Sequence, residues 1–288
     1  PPPTGNFLYA VDFVNANTGY AVGTIGTIMK TTNGGVNWNV QTSNFNDELL
    51  GTNFYDENFG FAVGGNSGSI LRTTNGGNNW SRVFSGATTF MWSVDFPNRN
   101  TGYAVGLNGV VLKSTDSGIN WLPQNSGTTA NLFSVSFFDS VNGVASGNRK
   151  ILKTTNGGLN WETQNIIFDD PFGQVFSIQY INTNTIISLV NGKDKLCKTT
   201  NGGINWEKYH IPLNDINDIL RTLSFANENT GYIPTDYGNI LITTDGGLNW
   251  SEDSTFKPPY YQIGVLFGVK AVNENLAYVS GSGGRIIK

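Results

Sequence analysis

Thr31-Thr32-Asn33-Gly34-Gly35-Val36-Asn37-Trp38 is one copy of an eight-residue motif that recurs along the chain. Five further copies of the motif follow, and each ends in a tryptophan 40 to 45 residues after the previous one: Trp80, Trp121, Trp161, Trp206 and Trp250. A period of this length is typical of a four-stranded propeller blade and excludes leucine-rich and helical solenoids. The motif therefore sets the repeat of the whole chain.

Each repeat carries three short runs of strand-forming residues before the motif. In the first repeat they fall at 10–13, 19–23 and 27–30, where apolar residues alternate with polar or small ones. This period-2 pattern is typical of strands in a packed sheet. Equivalent first strands are predicted at 52–54, 94–96, 135–137, 178–180, 223–225 and 269–271. Seven repeats result, and they start near residues 8, 50, 92, 132, 175, 222 and 266.

The repeats predict an all-β fold, a single seven-bladed β-propeller over residues 1–288 with four antiparallel strands per blade. One sheet cannot bury both of its faces, so the sheets must pack around an axis and close on each other. The seventh repeat ends with its third strand, at 285–288, and no copy of the motif follows. We therefore expect that blade seven is three-stranded, or that the natural chain continues past Lys288.

The composition narrows the classes of protein that remain. Of the 288 residues 13% are charged and 36 are glycine, and the formal net charge is −4 with a pI near 5.0. This acidic balance argues against nucleic acid as a partner, and no apolar stretch reaches the roughly 18 residues that insert into a membrane. Low charge and abundant Asn, Thr and Gly favour an extracellular or cell-surface bacterial protein, with the periplasm as an alternative. We expect a monomer or one part of a larger multidomain chain.

The motif has a structural explanation. Its six copies, called box turns below, cover 31–38, 73–80, 114–121, 154–161, 199–206 and 243–250. An Asn or Asp side chain at the third position can accept hydrogen bonds from backbone amides of its own turn, and the following glycines supply the positive φ that the turn needs. The tryptophan ring then packs between blades. Calcium coordination is the weaker alternative, and we expect no metal and no cofactor. The residues with these structural roles are Asn33, Asn75, Asp116, Asn156, Asn201 and Asp245, with Trp38, Trp80, Trp121, Trp161, Trp206 and Trp250.

The box turns resemble the Asp box of bacterial neuraminidase repeats, S-x-D-x-G-x-T-W, most closely at 114–121. Together with the segment T-G-Y-A-V-G before the third strand, they make the repeats similar to those of photosystem II assembly-factor-like propellers. The resemblance implies a seven-bladed propeller and, in the photosynthetic members, an arginine-rich patch that binds a client protein. The six arginines of this chain are scattered over different blades. Assembly of a membrane protein complex is therefore kept as an alternative function.

Enzymatic activity is another function that the resemblance raises. A sialidase of this type would need three arginines around the substrate carboxylate, and only Arg149 and Arg221 are expected on the face opposite the box turns. Asp-box propellers that cleave neutral glycans use two carboxylates about 5 to 10 Å apart. A glycan-acting hydrolase would draw its acids from Asp169, Asp170, Asp215 and Asp218. Solvated loop acids are the simpler interpretation of these four residues.

A binding surface is the function that we favour. The three longest loops between blades, 162–175, 207–222 and 251–265, are expected on the face opposite the box turns, where long insertions in a repeat array usually carry function. Segment 90–92 is predicted to be core at the start of a first strand. The protein is thus predicted to be a non-catalytic interaction module that binds a protein or a carbohydrate around the central channel. The ligand-binding residues that we predict are Phe172, Tyr209, Arg221, Tyr260 and Tyr261.

Overall fold

The computed structural model describes residues 4–83, 86–166, 173–191, 195–213, 218–253 and 264–288. They form seven antiparallel sheets, six with four strands and the last with three. The innermost strands of successive blades contact one another, and β1 (Leu8–Phe13) of the first blade also contacts β25 (Leu266–Asn273) of the last. The chain is therefore a closed seven-bladed propeller, as predicted, and its seventh blade is three-stranded.

The strands of each blade follow chain order from the central channel outward. The innermost strands of the other blades are β5 (Leu49–Phe54), β9 (Met91–Asp95), β13 (Leu132–Phe137), β17 (Val175–Tyr180) and β21 (Ser224–Phe225). The second strands are β2 (Gly19–Gly23), β6 (Gly60–Gly64), β10 (Gly102–Gly106), β14 (Gly143–Gly147), β18 (Ile186–Val190), β22 (Gly231–Pro234) and β26 (Leu276–Gly281).

The third and fourth strands flank the box turns. The third strands are β3 (Ile28–Thr31), β7 (Ser69–Thr73), β11 (Val111–Ser114), β15 (Lys150–Thr154), β19 (Leu196–Thr199), β23 (Ile240–Thr243) and β27 (Ile286–Ile287). The fourth strands are β4 (Asn39–Gln41), β8 (Ser81–Val83), β12 (Leu122–Gln124), β16 (Glu162–Thr163), β20 (Glu207–Tyr209) and β24 (Ser251–Glu252). Short 3₁₀ turns occur at Thr24–Gly26, Leu107–Gly109 and Ser282–Gly284. In the described ranges no helix is long and apolar enough to cross a membrane.

Aromatic rings hold neighbouring blades together. Tyr20 of blade 1 stacks on Phe54 of blade 2 with ring centroids 3.4 Å apart, and Trp80 meets the same phenylalanine edge-on at 5.9 Å. Stacked and edge-on pairs are the preferred geometries of aromatic side chains. The stacked pair recurs at three more blade junctions, as Phe61–Phe96, Tyr103–Phe137 and Tyr278–Phe13. The last of these closes the ring between blades 7 and 1.

The Asn or Asp oxygens of the box turns accept hydrogen bonds from their own turns, as the sequence predicted. In the first one the Thr31 hydroxyl donates to Asn33 Oδ1 at 3.0 Å and accepts the Gly35 N–H at 3.0 Å, and Asn37 N–H donates to Asn33 Oδ1 at 2.9 Å. Each turn also packs on the turn between the first two strands of its blade, where Gly34 N–H donates to Asn17 O at 2.9 Å. These bonds place the box turns at the far end of the innermost strands, opposite the end where those strands begin.

A basic residue of the third strand reaches across to the next blade, a feature that was not predicted. The Lys30 ammonium group donates to Gly76 O, in the box turn of blade 2, at 2.9 Å. Lys288 makes the closing contact with Gly34 O at 3.3 Å. In five of the six motifs a basic residue stands immediately before the Thr or Ser that opens the motif, whereas Ile242 takes this place before the sixth. The repeat pattern thus contained this signal. The other bonds of this kind are Arg72 to Ser117 O, Lys113 to Gly157 O, Lys153 to Gly202 O and Lys198 to Gly246 O.

Candidate functional site

The innermost strands share a β-bulge where they enter the channel. In blade 3 Met91 pairs with Gly106 and Ser93 pairs with Val105, so Trp92 between them has no partner in the ladder. A bulge changes the direction in which the side chain of the extra residue points. The residue before it is buried, and the extra residue lines the channel mouth. The same register shift occurs at Tyr9, Leu50, Phe133, Phe176 and Phe267.

A glycine at the end of the second strand makes room for the bulge. A Cβ atom on Gly106 would lie 2.2 Å from the carbonyl oxygen of Phe90, the residue that precedes β9. Gly23 and Gly147 face the equivalent carbonyls of Phe7 and Asn131, at 1.8 and 1.7 Å from the ideal Cβ position. At these three positions a larger residue would force the two strands apart, although blade 5 forms the same bulge with Val190 in the equivalent place. These glycines, which end segments such as T-G-Y-A-V-G, therefore allow the closest approach of the two strands in their own blades.

The bulged side chains surround a cavity of about 540 Å³. We call this cavity the cup and define it by one residue from each blade in the same position: Tyr9, Leu50, Trp92, Phe133, Phe176, Arg221 and Phe267. Ring contacts join the aromatic members into two walls. In the first wall Phe133 lies 5.3 Å from Trp92 and 5.7 Å from Phe176, measured between centroids, and in the second Tyr9 lies 5.2 Å from Phe267. Leu50 and Arg221 separate the two walls.

In the described part of the chain two charged side chains line the cup, Glu48 and Arg221. The guanidinium group of Arg221 is already matched, because it donates to both carboxylate oxygens of Asp236, at 2.7 and 2.8 Å. Glu48 accepts a long hydrogen bond from the Tyr9 hydroxyl, at 3.4 Å, and burial and the nearby carboxylate raise the pKa of Tyr9. The unmatched charge of the cup is therefore negative.

Beyond the cup the channel is polar. Side chains of the innermost strands accept a backbone N–H from the following blade, as Asp12 does from Phe54 at 2.7 Å and Asp95 from Phe137 at 2.6 Å. The ammonium group of Lys270 lies 2.8 Å from Asp12 Oδ1. Burial raises the pKa of Asp95 to about 6, although the bond from Phe137 and the charge of Lys270 act in the opposite direction. Asp12, Asp95 and Lys270 thus connect the innermost strands of different blades.

The structure brings one of the predicted ligand residues, Arg221, to the cup. Tyr209 lies on the outer strand β20, where its hydroxyl donates to Glu207 Oε2 at 2.5 Å and its ring packs beside a blade core, so it does not line the cup. Among the predicted acids, Asp218 is buried and accepts the Tyr237 N–H at 3.3 Å; burial raises its pKa. The other predicted residues lie outside the described ranges: Asp169, Asp170, Phe172, Asp215, Tyr260 and Tyr261.

The prediction that segment 90–92 is core was correct for Met91, which is fully buried, and wrong for Trp92, which is 36% exposed and lines the cup. Strict alternation from the buried residues Phe96 and Val94 would turn the side chain at 92 toward the core. The bulge shifts this alternation by one residue. Comparison of the seven repeats position by position would have shown that an aromatic residue recurs here.

No group of His, Cys, Asp and Glu side chains suited to a metal ion occurs within the described ranges. The box turns have no arrangement of this kind, because their Asn and Asp oxygens are occupied by the turn's own backbone and side chains. Among the described residues, the cup is a cavity whose walls are aromatic and whose rim carries Glu48 and Arg221. The aromatic cavity of such a site can hold an apolar group, and its charged rim residues can attract a charged group of a ligand.

Comparison with known protein families finds a match over the first two blades of the chain. Residues 2–89 match the family described as photosynthesis system II assembly factor YCF48. The chain is similar to YCF48. The resemblance to photosystem II assembly-factor-like propellers that the repeats predicted is thus confirmed. No curated protein matches the chain.

Solved structures share the fold of this YCF48-like chain at low sequence identity. YCF48 bound to a D1 peptide is 20% identical with a TM-score of 0.79, and the match covers 99% of this chain and 92% of that one. YCF48 from Cyanidioschyzon merolae is 21% identical with a TM-score of 0.76, over 99% and 96% of the two chains. The GH74 enzyme of Niastella koreensis is 16% identical with a TM-score of 0.76. That match covers 99% of this chain and 52% of the enzyme. At these identities the likeness establishes the propeller fold alone.

Proposed function

We propose that this propeller is a non-catalytic binding module of a secreted or cell-surface bacterial protein, and that the cup binds an extended segment of a protein partner. The observation that carries the proposal is the set of bulged side chains around the cavity, among which Trp92 is 36% exposed. Large aromatic side chains in a concave site are the usual anchors of protein recognition. The low content of charged residues, 13%, supports the extracellular setting.

The comparison with YCF48 supports a protein ligand. One solved YCF48 structure, similar over 99% of this chain, contains a D1 peptide. A bound peptide can insert one or two side chains into a cavity and continue over the rim, which suits a cup whose two aromatic walls are separated by Leu50 and Arg221. The proposed role is therefore recognition of a protein segment, either for docking or for assembly of a larger complex.

A glycan-acting hydrolase is the competing function, and the described acids do not favour it. Asp218 is buried and does not line the cup, and Glu48 is the one carboxylate that does so within the described ranges. Cleavage of a glycosidic bond needs two carboxyl groups that face the same bond. The aromatic walls could stack on sugar rings without cleaving them, so carbohydrate binding is tested beside peptide binding.

The test is to pan a displayed library of random 12-residue peptides on the wild-type propeller and on the Trp92→Ala variant. We expect peptides that the wild type captures and the variant loses. The control is Leu122→Ala, which removes an exposed apolar side chain from the outer strand β12 and should leave capture unchanged. A glycan array and a reducing-sugar release assay are run in parallel. Trp92-dependent glycan capture, or release of sugar, would contradict the proposal.

A further inference from the structure

We infer that the partner segment of the cup carries a basic residue, Lys or Arg, directly beside the apolar side chain that fills the cavity. This inference rests on the proposed function and adds the chemical class of the ligand. The inference depends on the charges of Glu48 and Arg221, the charged side chains that line the cup in the described part of the chain.

The first argument is the unmatched carboxylate of Glu48. Its side chain lines the cup, and in the described ranges it pairs with no Lys, Arg or His. The Tyr9 hydroxyl approaches it at 3.4 Å, which is beyond the usual length of an O–H···O hydrogen bond. The neighbouring Asp47 accepts the backbone N–H groups of Glu48 and Asn66, each at 2.8 Å. Asp47 does not line the cup, so Glu48 is the carboxylate at the rim that has no cationic partner in the described ranges.

The second argument concerns Arg221, on the opposite side of the ring. It attracts an acidic ligand less strongly than Glu48 attracts a basic one. Its bidentate pair with Asp236 occupies the Nε and Nη2 donors, one of the two edges with which a guanidinium binds a carboxylate, and balances its charge. Its guanidinium carbon also lies 5.8 Å from the centroid of the Phe267 ring, so the group is held against the second aromatic wall. An acidic peptide meets a guanidinium whose charge Asp236 already balances, whereas a basic peptide meets Glu48, which has no cationic partner in the described ranges.

The third argument is the aromatic surface between these two points. The faces of Trp, Tyr and Phe attract cations electrostatically, and this attraction is strongest where water is excluded. Tyr9, which contacts both Glu48 and the Phe267 wall, joins the carboxylate to the aromatic surface. A basic side chain beside an apolar one can therefore bind Glu48 with its head while its methylene stem lies along the wall.

The experiment uses two focused display libraries of nine-residue peptides with a central Phe, Trp or Leu. The flanking positions of one library are drawn from Lys, Arg, Gly and Ser, and those of the other from Asp, Glu, Gly and Ser. Both are captured by the wild type, Glu48→Gln, Glu48→Lys, Trp92→Ala and the control Glu162→Gln, which changes an exposed carboxylate on the outer strand β16. Each capture is repeated at low and at high salt.

We expect the wild type and Glu162→Gln to capture the basic library about tenfold better than the acidic one at low salt, with a smaller ratio at high salt. Glu48→Gln should lower capture of the basic library about three- to tenfold, and Glu48→Lys should reverse the preference. Equal capture of both libraries, still lost in Trp92→Ala, would overturn this inference and leave the proposed function standing. Capture of neither library, or capture that Trp92→Ala does not change, would overturn both.

Discussion

The two ends of the channel use the same kinds of residue in different ways. At the box-turn end, the Asn and Asp oxygens accept hydrogen bonds within their own turns, and five of the six box-turn tryptophans are buried against blade cores. At the cup end, Trp92 is partly exposed, and Glu48 has no cationic partner in the described ranges. A repeated motif whose Asn or Asp oxygens are engaged within the turn and whose rings are mostly buried serves the fold. Side chains that are held in place yet keep free surface are those available to a ligand.

The sharpest way to test this comparison is to truncate a tryptophan at the box-turn end. Trp121 is 5% exposed and packs edge-on against Phe96 and Phe61 at 5.8 and 6.1 Å. We expect Trp121→Ala to lower the free energy of unfolding by about 3 to 5 kcal/mol, measured by denaturant unfolding. Trp206 is partly exposed and has no ring contact among the described residues, so Trp206→Ala should cost about half as much. Equal losses would mean that the aromatic contacts do not set the stability of a blade.

The next effect concerns the polar groups of a box turn. Hydrogen bonds from Asn120, first its backbone N–H, lower the pKa of Asp116 to about 2. We expect Asp116→Ala to cost about 1 to 2 kcal/mol of stability at pH 7, whereas Asp116→Asn should cost less because Asn33 fills the same position in the first turn.

The pH dependence of Asp116 follows from the direction of its pKa shift. A carboxyl group whose pKa is lower in the folded state stabilises the fold above its unfolded pKa of about 3.9, and this contribution is lost as the pH falls through about 2. The difference between wild type and Asp116→Ala should therefore shrink as the pH falls from 5 toward 2. A difference that stays constant in thermal unfolding over this range would contradict the assigned hydrogen bonds.

A smaller effect of opposite sign is expected at Asp95, between the two ends. Because its pKa is raised to about 6 in the fold, the folded chain binds this proton more tightly than the unfolded chain does. Its contribution to stability is present below about pH 3.9 and is lost as the pH rises through about 6. Asp95→Asn, which resembles Asn53 at the same position in blade 2, should therefore raise stability by about 1 kcal/mol at pH 7.5 and by little at pH 4. Thermal unfolding at the two pH values measures this, and a loss at pH 7.5 would show that the positive charge of Lys270 outweighs burial.

The smallest effect on stability is expected at the cup. Trp92→Ala removes a side chain that is 36% exposed and contacts Phe133, so it should cost less than about 1 kcal/mol. The same substitution should abolish peptide capture. Trp121→Ala, tested at a temperature where it is still folded, should capture peptide normally. If Trp92→Ala destabilised the protein as much as Trp121→Ala does, the two ends would not differ in the way described.

The predicted strands agree with the structure because their cause is local. The motif that ends in Trp38 and the alternation at 10–13 depend on turn chemistry and on burial of every second residue, and both can be read without the neighbouring blade. The seventh blade has three strands in the structure, which is one of the two alternatives that the sequence left open. Of the predicted ligand residues, Arg221 reaches the cup, while Tyr209 lies on an outer strand.

The cup itself could not be predicted from the alternation of a single strand. A bulge adds one residue to one strand, and its position depends on the partner strand, here on a glycine such as Gly106 that lets the Phe90 carbonyl approach. Alternation alone therefore assigned Trp92 to the core. Likewise, the sequence shows that Arg221 and Asp236 are present, but their pairing depends on how two segments of the chain meet.

The sequence by itself determined the number of blades, the order of the strands and the structural role of the box turns, because each repeat contains the local interactions that form it. The tertiary structure decided which aromatic side chains are buried and which line the cup. It also decided that Arg221 is neutralised by Asp236 while Glu48 is not neutralised by any described cation. These outcomes depend on closure of the ring, which places seven equivalent residues around one axis and gives each of them neighbours that are distant in the sequence.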